Sequence, residues 1–425
     1  MYISILSYYY INITKSMDRE PVRLAVHGLG RIGRLVARLL LERQLREGLQ
    51  CSYRVVHMHE REPVGDSRAH ACEISAYLLE FDSVHGRWGS HTVKHDAEGG
   101  RWIRVIKTSE GSAGGDEGMI ISDDSNISSS NPHSAAAGCV VGAIADQLTI
   151  GFSTGTGDPA AIAWSEIGVD VVVECTGELL KRALLQPMLD QGVRKIVVSA
   201  PMKEGVPNVV VGVNDGVYDS ACHDIVTAAS CTTNAIAPVV KVMHERFGIV
   251  HGMITTIHNL TNTQVVLDSA RVGKKEIRRT RGAGMNLVPT TTGSAKAITQ
   301  IFPELAGLLD GRAIRVPLAV GGSIADMVLE VKRATTVQEV NTVLREAAAG
   351  GASVGLPRGI LGFESRQLVS TDYTNESRSG VVDAGSTMVT DGTLVKLYVW
   401  YDNEWGYSCR MEELVRRVVK EMRTV

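Results

Sequence analysis

The sequence predicts an α/β protein, a doubly wound parallel-sheet domain followed by an α+β domain, and three observations carry that prediction. An apolar run over 24–26 leads into a glycine-rich turn, after which Ile32, Leu35, Val36, Leu39 and Leu40 share one face at helical spacing. A strand-like 169–174, a helical 179–191 and a strand-like 195–199 repeat that order, and 53–58 supplies a further strand. Beyond residue 231, long apolar strands such as 327–331 and 394–400 stand beside helical stretches.

The chain of 425 residues is long enough for two or three domains at roughly 150 residues each. Residues 1–16 are apolar and Tyr-rich with Lys15 as their one charge. They lack the basic start and small-residue cleavage site of a leader, so they read as a disordered extension or an upstream start, with organellar targeting as the alternative. Residues 17–230 form the first domain, interrupted at 108–146 by a Ser-, Gly-, Asp- and Asn-dense stretch without periodicity, a loop insertion. Residues 231–399 form the second domain, with a short surface loop at 347–359. Residues 400–425, ending in a helix over 411–422, return to the first domain.

Lys and Arg number 44 against 47 Asp and Glu, and this net charge of −3 offers no basic field for nucleic acid or an anionic membrane. No apolar run reaches the roughly 18 residues of a membrane span. The seven cysteines include no C-x-x-C pair, which argues against structural zinc and a disulfide framework and suits a reducing, cytoplasmic setting. No metal is expected.

Gly28-Leu29-Gly30-Arg31-Ile32-Gly33 matches G-x-G-x-x-G between a strand and a helix. The first glycine permits the tight turn, the second lets a pyrophosphate approach the backbone, and the third lets helix and strand pack closely. Helix N-terminal amides without intrahelical partners then hold the pyrophosphate. Glu60, closing the second strand, suits the ribose hydroxyls and would repel a 2′-phosphate, whereas Arg61 could pair with that phosphate. The first domain therefore reads as a Rossmann-type dinucleotide-binding domain for NAD, with NADP left open.

Cys231, in Ser230-Cys231-Thr232-Thr233-Asn234, follows a strand-like 223–228 and precedes a helix expected over 235–247, with Pro238 in its first turn. A thiol at a helix N-terminus is expected to have a lowered pKa; the alternative is a buried small hydrophobe. His258 ends another apolar strand, and an imidazole meeting the thiol in space would serve as its base. The threonines 290–292 with Gly293, the basic stretch 271–281 and Arg315 offer hydroxyls and cations to a phosphorylated substrate. They serve equally as turn residues and a solvated loop, or as a local RNA contact.

The words GLGRIGR, DSVHGRW, VECTG, SAP, SCTTN, GAGMNLVPTTTGSAKA, RVP and WYDNEWGYS occur in that order. With them, residues 17–425 resemble the phosphorylating glyceraldehyde-3-phosphate dehydrogenases, apart from the insertion at 108–146 and a small one near 350. The resemblance implies Cys231 as nucleophile and His258 as base. It implies that Gly28, Gly30, Arg31, Ile32, Gly33, Glu60, Thr176, Gly177, Ser199 and Asn403 line the cofactor. It assigns inorganic phosphate to Ser230, Thr232, Thr292, Gly293 and Arg315, and the substrate phosphate to Thr261, Thr263 and Arg315. A homotetramer is also implied, with 271–281 near a neighbouring subunit's cofactor. Two wordings depart from the common one. His59-Glu60-Arg61 bears on NAD against NADP, and Asn259-Leu260-Thr261-Asn262-Thr263 resembles variants that include erythrose-4-phosphate dehydrogenases and arsenate-associated enzymes. A non-catalytic dinucleotide-binding protein is the reading from another class.

Overall fold

In the computed structural model the described residues are 20–62, 67–89, 91–108, 146–203, 205–270, 276–318, 321–351 and 355–424. The extension 1–16, residues 109–145 of the expected insertion and residues 271–275 of the basic stretch lie outside them.

The first sheet contains β1 (Val22–His27), β2 (Tyr53–Arg61), β3 (His91–His95), β4 (Trp102–Lys107), β5 (Gln147–Gly155), β6 (Val171–Glu174), β7 (Lys195–Val198) and β8 (Ile225–Thr227). Their spatial order is β3-β4-β5-β2-β1-β6-β7-β8. From β5 to β8 every pairing is parallel, while β3 and β4 add an antiparallel edge. The six parallel strands follow the 3-2-1-4-5-6 order of a dinucleotide-binding sheet. β6 and β7 are buried at every position, because parallel strands are covered on both faces and read as continuous apolar runs. Leu24, Val26, Val171 and Val173 enter one core, and Ala25, Val172, Ile196 and Val198 the other. The helices of this half are α1 (Arg31–Glu47), α2 (Arg68–Glu80), the one-turn α3 (Trp164–Ile167) and α4 (Arg182–Asp190). The insertion interrupts the turn between β4 and β5, where Lys107 N–H bonds the Asp146 carbonyl at 2.7 Å. With its two ends already joined by the ladder, its length costs the fold only a slowly growing closure entropy.

The second sheet contains β9 (Ile249–His258), β10 (Val288–Thr291), β11 (Leu309–Arg315), β12 (Ser323–Val331), β13 (Leu361–Glu364), β14 (Gly380–Asp383), β15 (Met388–Thr390) and β16 (Leu394–Tyr401). Its order is β10-β11-β9-β12-β16-β14-β13, with β15 paired to β16. It is mixed, and β12 alternates strictly between buried and part-exposed positions, the pattern of a sheet covered on one face. The helices α5 (Cys231–Phe247), α6 (Ser294–Ile301) and α7 (Val337–Ala348) accompany it, and the core beneath it includes Ile236, Val240 and Met243 of α5. The last helix, α8 (Trp405–Thr424), packs Met411, Leu414, Val415 and Val418 into the core shared with Val36 and Leu40 of α1.

Three helix starts differ from the sequence expectation. α5 begins at Cys231 rather than 235, which leaves Pro238 in the helix interior. An interior proline costs about 3 kcal/mol, here outweighed by burial of every residue from Thr232 to Val240. α8 begins at Trp405 rather than 411 because the Asp402 carboxylate accepts the N–H groups of Glu404 and Trp405, both at 2.8 Å. α4 starts at Arg182, later than 179.

Candidate active site

The turn carrying the thiol is built from the end of β8. Ala229 is left-handed, with φ 54°, a conformation that costs a non-glycine residue about 1 kcal/mol or more. Its N–H bonds Thr227 Oγ1 at 2.9 Å, and its carbonyl accepts the Tyr407 hydroxyl at 3.1 Å. Ser230 then caps α5, its Oγ accepting the Thr233 N–H at 3.2 Å. Cys231 is thereby the first helical residue, and it touches both the core under the first sheet and the core under the second.

His258 reaches the thiol from the end of β9, with Nε2 3.7 Å from Cys231 Sγ. Parallel pairing of β9 with β11 sets Arg315 beside His258. Arg315 Nη1 lies 2.5 Å from His258 Nδ1, which is also 2.8 Å from the Asn259 carbonyl. Burial and then the Arg315 charge hold the His258 imidazole down at about 3. For Cys231 burial prevails and pushes the thiol up, with Arg315 and local hydrogen bonds opposing it. The lowered thiol pKa expected from the helix N-terminus is thus opposed by burial, which disfavours the charged form.

The phosphate-binding candidates fall into separate groups. Ser230 Oγ is 3.3 Å from Ser294 Oγ, which brings the Thr292-Gly293 turn beside the thiol. Thr292 Oγ1 accepts the Ser294 N–H, and space is open where a Cβ on Gly293 would lie. Thr261 and Thr263 pair through their hydroxyls at 2.9 Å, and Arg279 donates to Thr263 at 3.4 Å. The Thr232 side chain is turned inward, its hydroxyl 2.9 Å from that of Tyr401, which also meets Thr256. Asn403 is buried, and its Oδ1 accepts the Ser323 hydroxyl at 2.9 Å. Ala229, Ser323, Tyr401 and Tyr407 brace the site without having been singled out in the sequence; Tyr401 and Tyr407 stand in WYDNEWGYS, and Ala229 and Ser323 carry no local signal.

At the other turn Gly28 has φ 87°, and a Cβ there would lie 2.8 Å from Thr176 N. A Cβ on Gly33 would lie 1.8 Å from the Gly28 carbonyl oxygen, whereas one on Gly30 or Gly177 would meet nothing within 4 Å. Gly30 gives α1 no side-chain cap and leaves open space where its Cβ would lie, so the first amides of α1 remain available as the donor set a pyrophosphate requires. These residues fit a dinucleotide. Glu60 braces the turn, accepting the Leu29 N–H at 2.5 Å and the Arg61 N–H at 2.8 Å. Thr176 donates its N–H and hydroxyl to Glu174, and Ser199 follows β7 with its N–H on the Glu174 carbonyl. Ile32 is partly buried against the α1 core. Arg31 is spoken for by carboxylates, bonding Asp82 at 2.6 Å and Glu404 at 2.5 Å. Burial opposes ionisation of Glu404, but His85 and Arg31 hold it down at about 2. Among the described residues no group of three or more His, Cys, Asp or Glu is placed to hold a metal, and no helix is long and apolar enough to cross a membrane.

Comparison with known proteins bears on this arrangement. Residues 230–403 match the family model described as glyceraldehyde 3-phosphate dehydrogenase, C-terminal domain. The chain is 42% identical to glyceraldehyde-3-phosphate dehydrogenase 3 of Nostoc sp., across 95% of this chain and 99% of that one. It is 38% identical to glyceraldehyde-3-phosphate dehydrogenase 1 of Bacillus subtilis, across 94% and 99%. It is 39% identical to the Pseudomonas aeruginosa glyceraldehyde-3-phosphate dehydrogenase, across 92% and 96%.

Proposed function

The chain belongs to the glyceraldehyde-3-phosphate dehydrogenase family, and from that premise we propose how its own residues carry the reaction. The protein is an oxidoreductase that converts D-glyceraldehyde 3-phosphate and inorganic phosphate to 1,3-bisphosphoglycerate with a nicotinamide dinucleotide. The observation that carries the residue assignment is Cys231 Sγ 3.7 Å from His258 Nε2 at the start of a buried helix.

Cys231 attacks the aldehyde carbon, its proton passing to the carbonyl oxygen by way of His258 Nε2, and a hemithioacetal forms on sulfur. His258 then takes the hydroxyl proton as the C–H bond breaks. When bound, the dinucleotide supplies the hydride acceptor. The thioester left on Cys231 is attacked by phosphate held at Ser230, Thr292, Gly293 and Arg315, and the acyl phosphate leaves as the thiol is restored. For Thr232 the backbone, not the inward-facing hydroxyl, takes the phosphate role. Thr261 and Thr263 hold the substrate phosphate. Tethering the acyl group beside its reaction partners makes each step effectively intramolecular, worth roughly 7–11 kcal/mol in favourable cases.

The crevice takes NAD rather than NADP. The half-buried Glu60 carboxylate sits at the Gly28 turn, where a 2′-phosphate would meet like charge. Arg61 is drawn toward Glu178 at 3.7 Å. Gly28, Gly30 and Gly33 shape the pyrophosphate turn, Thr176, Gly177 and Ser199 line its far wall, and Asn403 takes the nicotinamide amide. Arg31 acts by anchoring α1 to the segment after α2 through Asp82 and to the start of α8 through Glu404. The chain assembles as a homotetramer: Val266, Leu267, Ile277, Met285 and Leu287, all between β9 and β10, are strongly exposed, and a subunit contact would cover them. Its free thiols, Cys51, Cys72, Cys175, Cys222, Cys231 and Cys409 among the described residues, fit the cytoplasm.

The test is NADH formation from glyceraldehyde 3-phosphate, NAD+ and phosphate, repeated without phosphate and with NADP+, erythrose 4-phosphate or arsenate. Phosphate-dependent NAD+ reduction that is lost in Cys231→Ser is expected. Faster turnover of erythrose 4-phosphate would move the substrate assignment, and no turnover in any mixture would sink the catalytic reading.

A further inference from the structure

His258 Nδ1, Arg315 Nη1 and the Asn259 carbonyl oxygen form a closed triangle, with sides of 2.5, 2.8 and 3.2 Å. A neutral imidazole has two hydrogen placements here, and each satisfies two of the three contacts at the expense of the third. If Nδ1 carries the proton, it donates to the Asn259 carbonyl, Arg315 donates to the same oxygen, and Nε2 presents a lone pair to the thiol. If Arg315 donates to Nδ1, that nitrogen must be bare. Nε2 then carries the ring proton and faces Cys231 as a donor. Only the first arrangement lets His258 accept a proton from the thiol or from a hydroxyl bound to the sulfur-bearing carbon.

The choice belongs to Arg315, a half-buried residue whose Nε is buried without a hydrogen-bond partner. Arg315 Nη1 lies against Nδ1, and a guanidinium engaged at that nitrogen requires the bare-Nδ1 tautomer. A phosphoryl dianion is a far stronger acceptor for a guanidinium than a neutral imidazole nitrogen. Once it engages Arg315, Nδ1 is free to take the proton and donate to Asn259.

We propose that Arg315 is a positioning residue that sets the tautomer of His258, and that anion binding at Arg315 converts His258 from a hydrogen-bond donor into a base. The proposal rests on the functional reading above, and it ties proton abstraction to the presence of the phosphate that the reaction consumes or carries. Aldehydes lacking a phosphate are thereby oxidised slowly even when they bind.

The test reads the tautomer without turnover. The full-length protein with NAD+ bound, labelled with 15N in histidine, is observed by solid-state NMR, and His258→Asn identifies the His258 signals. Spectra are recorded with no anion, with inorganic phosphate, and with glycerol 3-phosphate, which carries a phosphate ester but no aldehyde. The expected result is a bare Nδ1 without anion and a protonated Nδ1 with either; response to one anion alone identifies which phosphate site exerts the control. Arg315→Leu should show protonated Nδ1 in every sample. The same tautomer with and without anion in the unmodified protein would overturn the proposal, whether or not Arg315→Leu folds. Because no substrate reacts, the outcome is independent of whether the assigned turnover is observed.

A kinetic arm adds the consequence. The single-turnover burst of NADH with non-phosphorylated glyceraldehyde should rise at least about tenfold on adding sulfate, which binds as a dianion and does not attack the thioester. If Arg315 served only to stabilise the thiolate by charge, sulfate would neutralise it and slow the burst, and that result would count against the tautomer switch.

Discussion

Two turns of the first sheet do the same geometric job by different means. Both leave a buried parallel strand and start a 17-residue helix, α1 after Gly28 and α5 after Ala229. The glycine turn meets its positive φ with a residue that has no Cβ, and it leaves the helix N-terminus uncapped. The cysteine turn puts an alanine into the same region of backbone space, holds it with Thr227 and Tyr407, and caps the helix with Ser230. An uncapped N-terminus offers backbone amides to a ligand, and a capped one holds a side chain in place. The first presents its backbone and is a motif; the second presents a thiol whose surroundings are set by residues far away in the chain.

That contrast can be broken at each end. Cys231→Ser should lower turnover by about a thousandfold or more while dinucleotide binding, followed by quenching of tryptophan fluorescence, stays unchanged. His258→Asn should cost about 10²- to 10⁴-fold, chiefly in the hydride step seen as the NADH burst. Loss of dinucleotide affinity in either variant would show that the two turns are not separable.

Gly33→Ala and Gly30→Ala sharpen the glycine side. The first drives a Cβ onto the Gly28 carbonyl and should destabilise by roughly 3 kcal/mol, read from the urea midpoint. The second has open space in the free protein, so its urea midpoint should hold while NAD affinity drops about tenfold, roughly 1.4 kcal/mol. Equal stability losses in both would refute the separate roles assigned to them.

Acid should destabilise the fold in two stages. His57 and His258 are held neutral by burial at about 4 and about 3, below the ordinary 6.5. Their depressed folded values mean that stability is whole above 6.5 and falls as the unfolded chain takes up protons below it. Glu404 is held at about 2 against an ordinary 4.5, so its contribution is intact above 4.5 and drains away as pH falls toward 2. Thermal melting midpoints should therefore decline below pH 6.5 and more steeply below 4.5, and Glu404→Gln should flatten the second phase; a flat profile would contradict both assignments.

The smallest effect expected is that of Ser230→Ala. Loss of the α5 cap should cost about 1 kcal/mol, seen as a melting point lower by a few degrees, with a raised KM for phosphate as the sign of its second role.

How much of this was legible follows from where each signal resides. The strand, turn and helix of 22–47 were readable because periodicity and glycine spacing are local. The start of α5 is not legible in the sequence because Pro238 and the polar Thr232, Thr233 and Asn234 argue against a helix interior, and only packing between two cores outweighs that propensity. The start of α8 is not legible there either, because its cap is the Asp402 carboxylate just after β16.

The sequence by itself determined the fold class, the glycine turn and, through eight words in family order, the family and its kind of chemistry. Only the tertiary structure decided that burial pushes the thiol pKa up, that the Thr232 hydroxyl faces Tyr401, and that Arg315 lies against His258. Those outcomes depend on burial and on the parallel register of β9 with β11. Desolvation and charge act through space between residues far apart in the chain, and no local pattern encodes their distance.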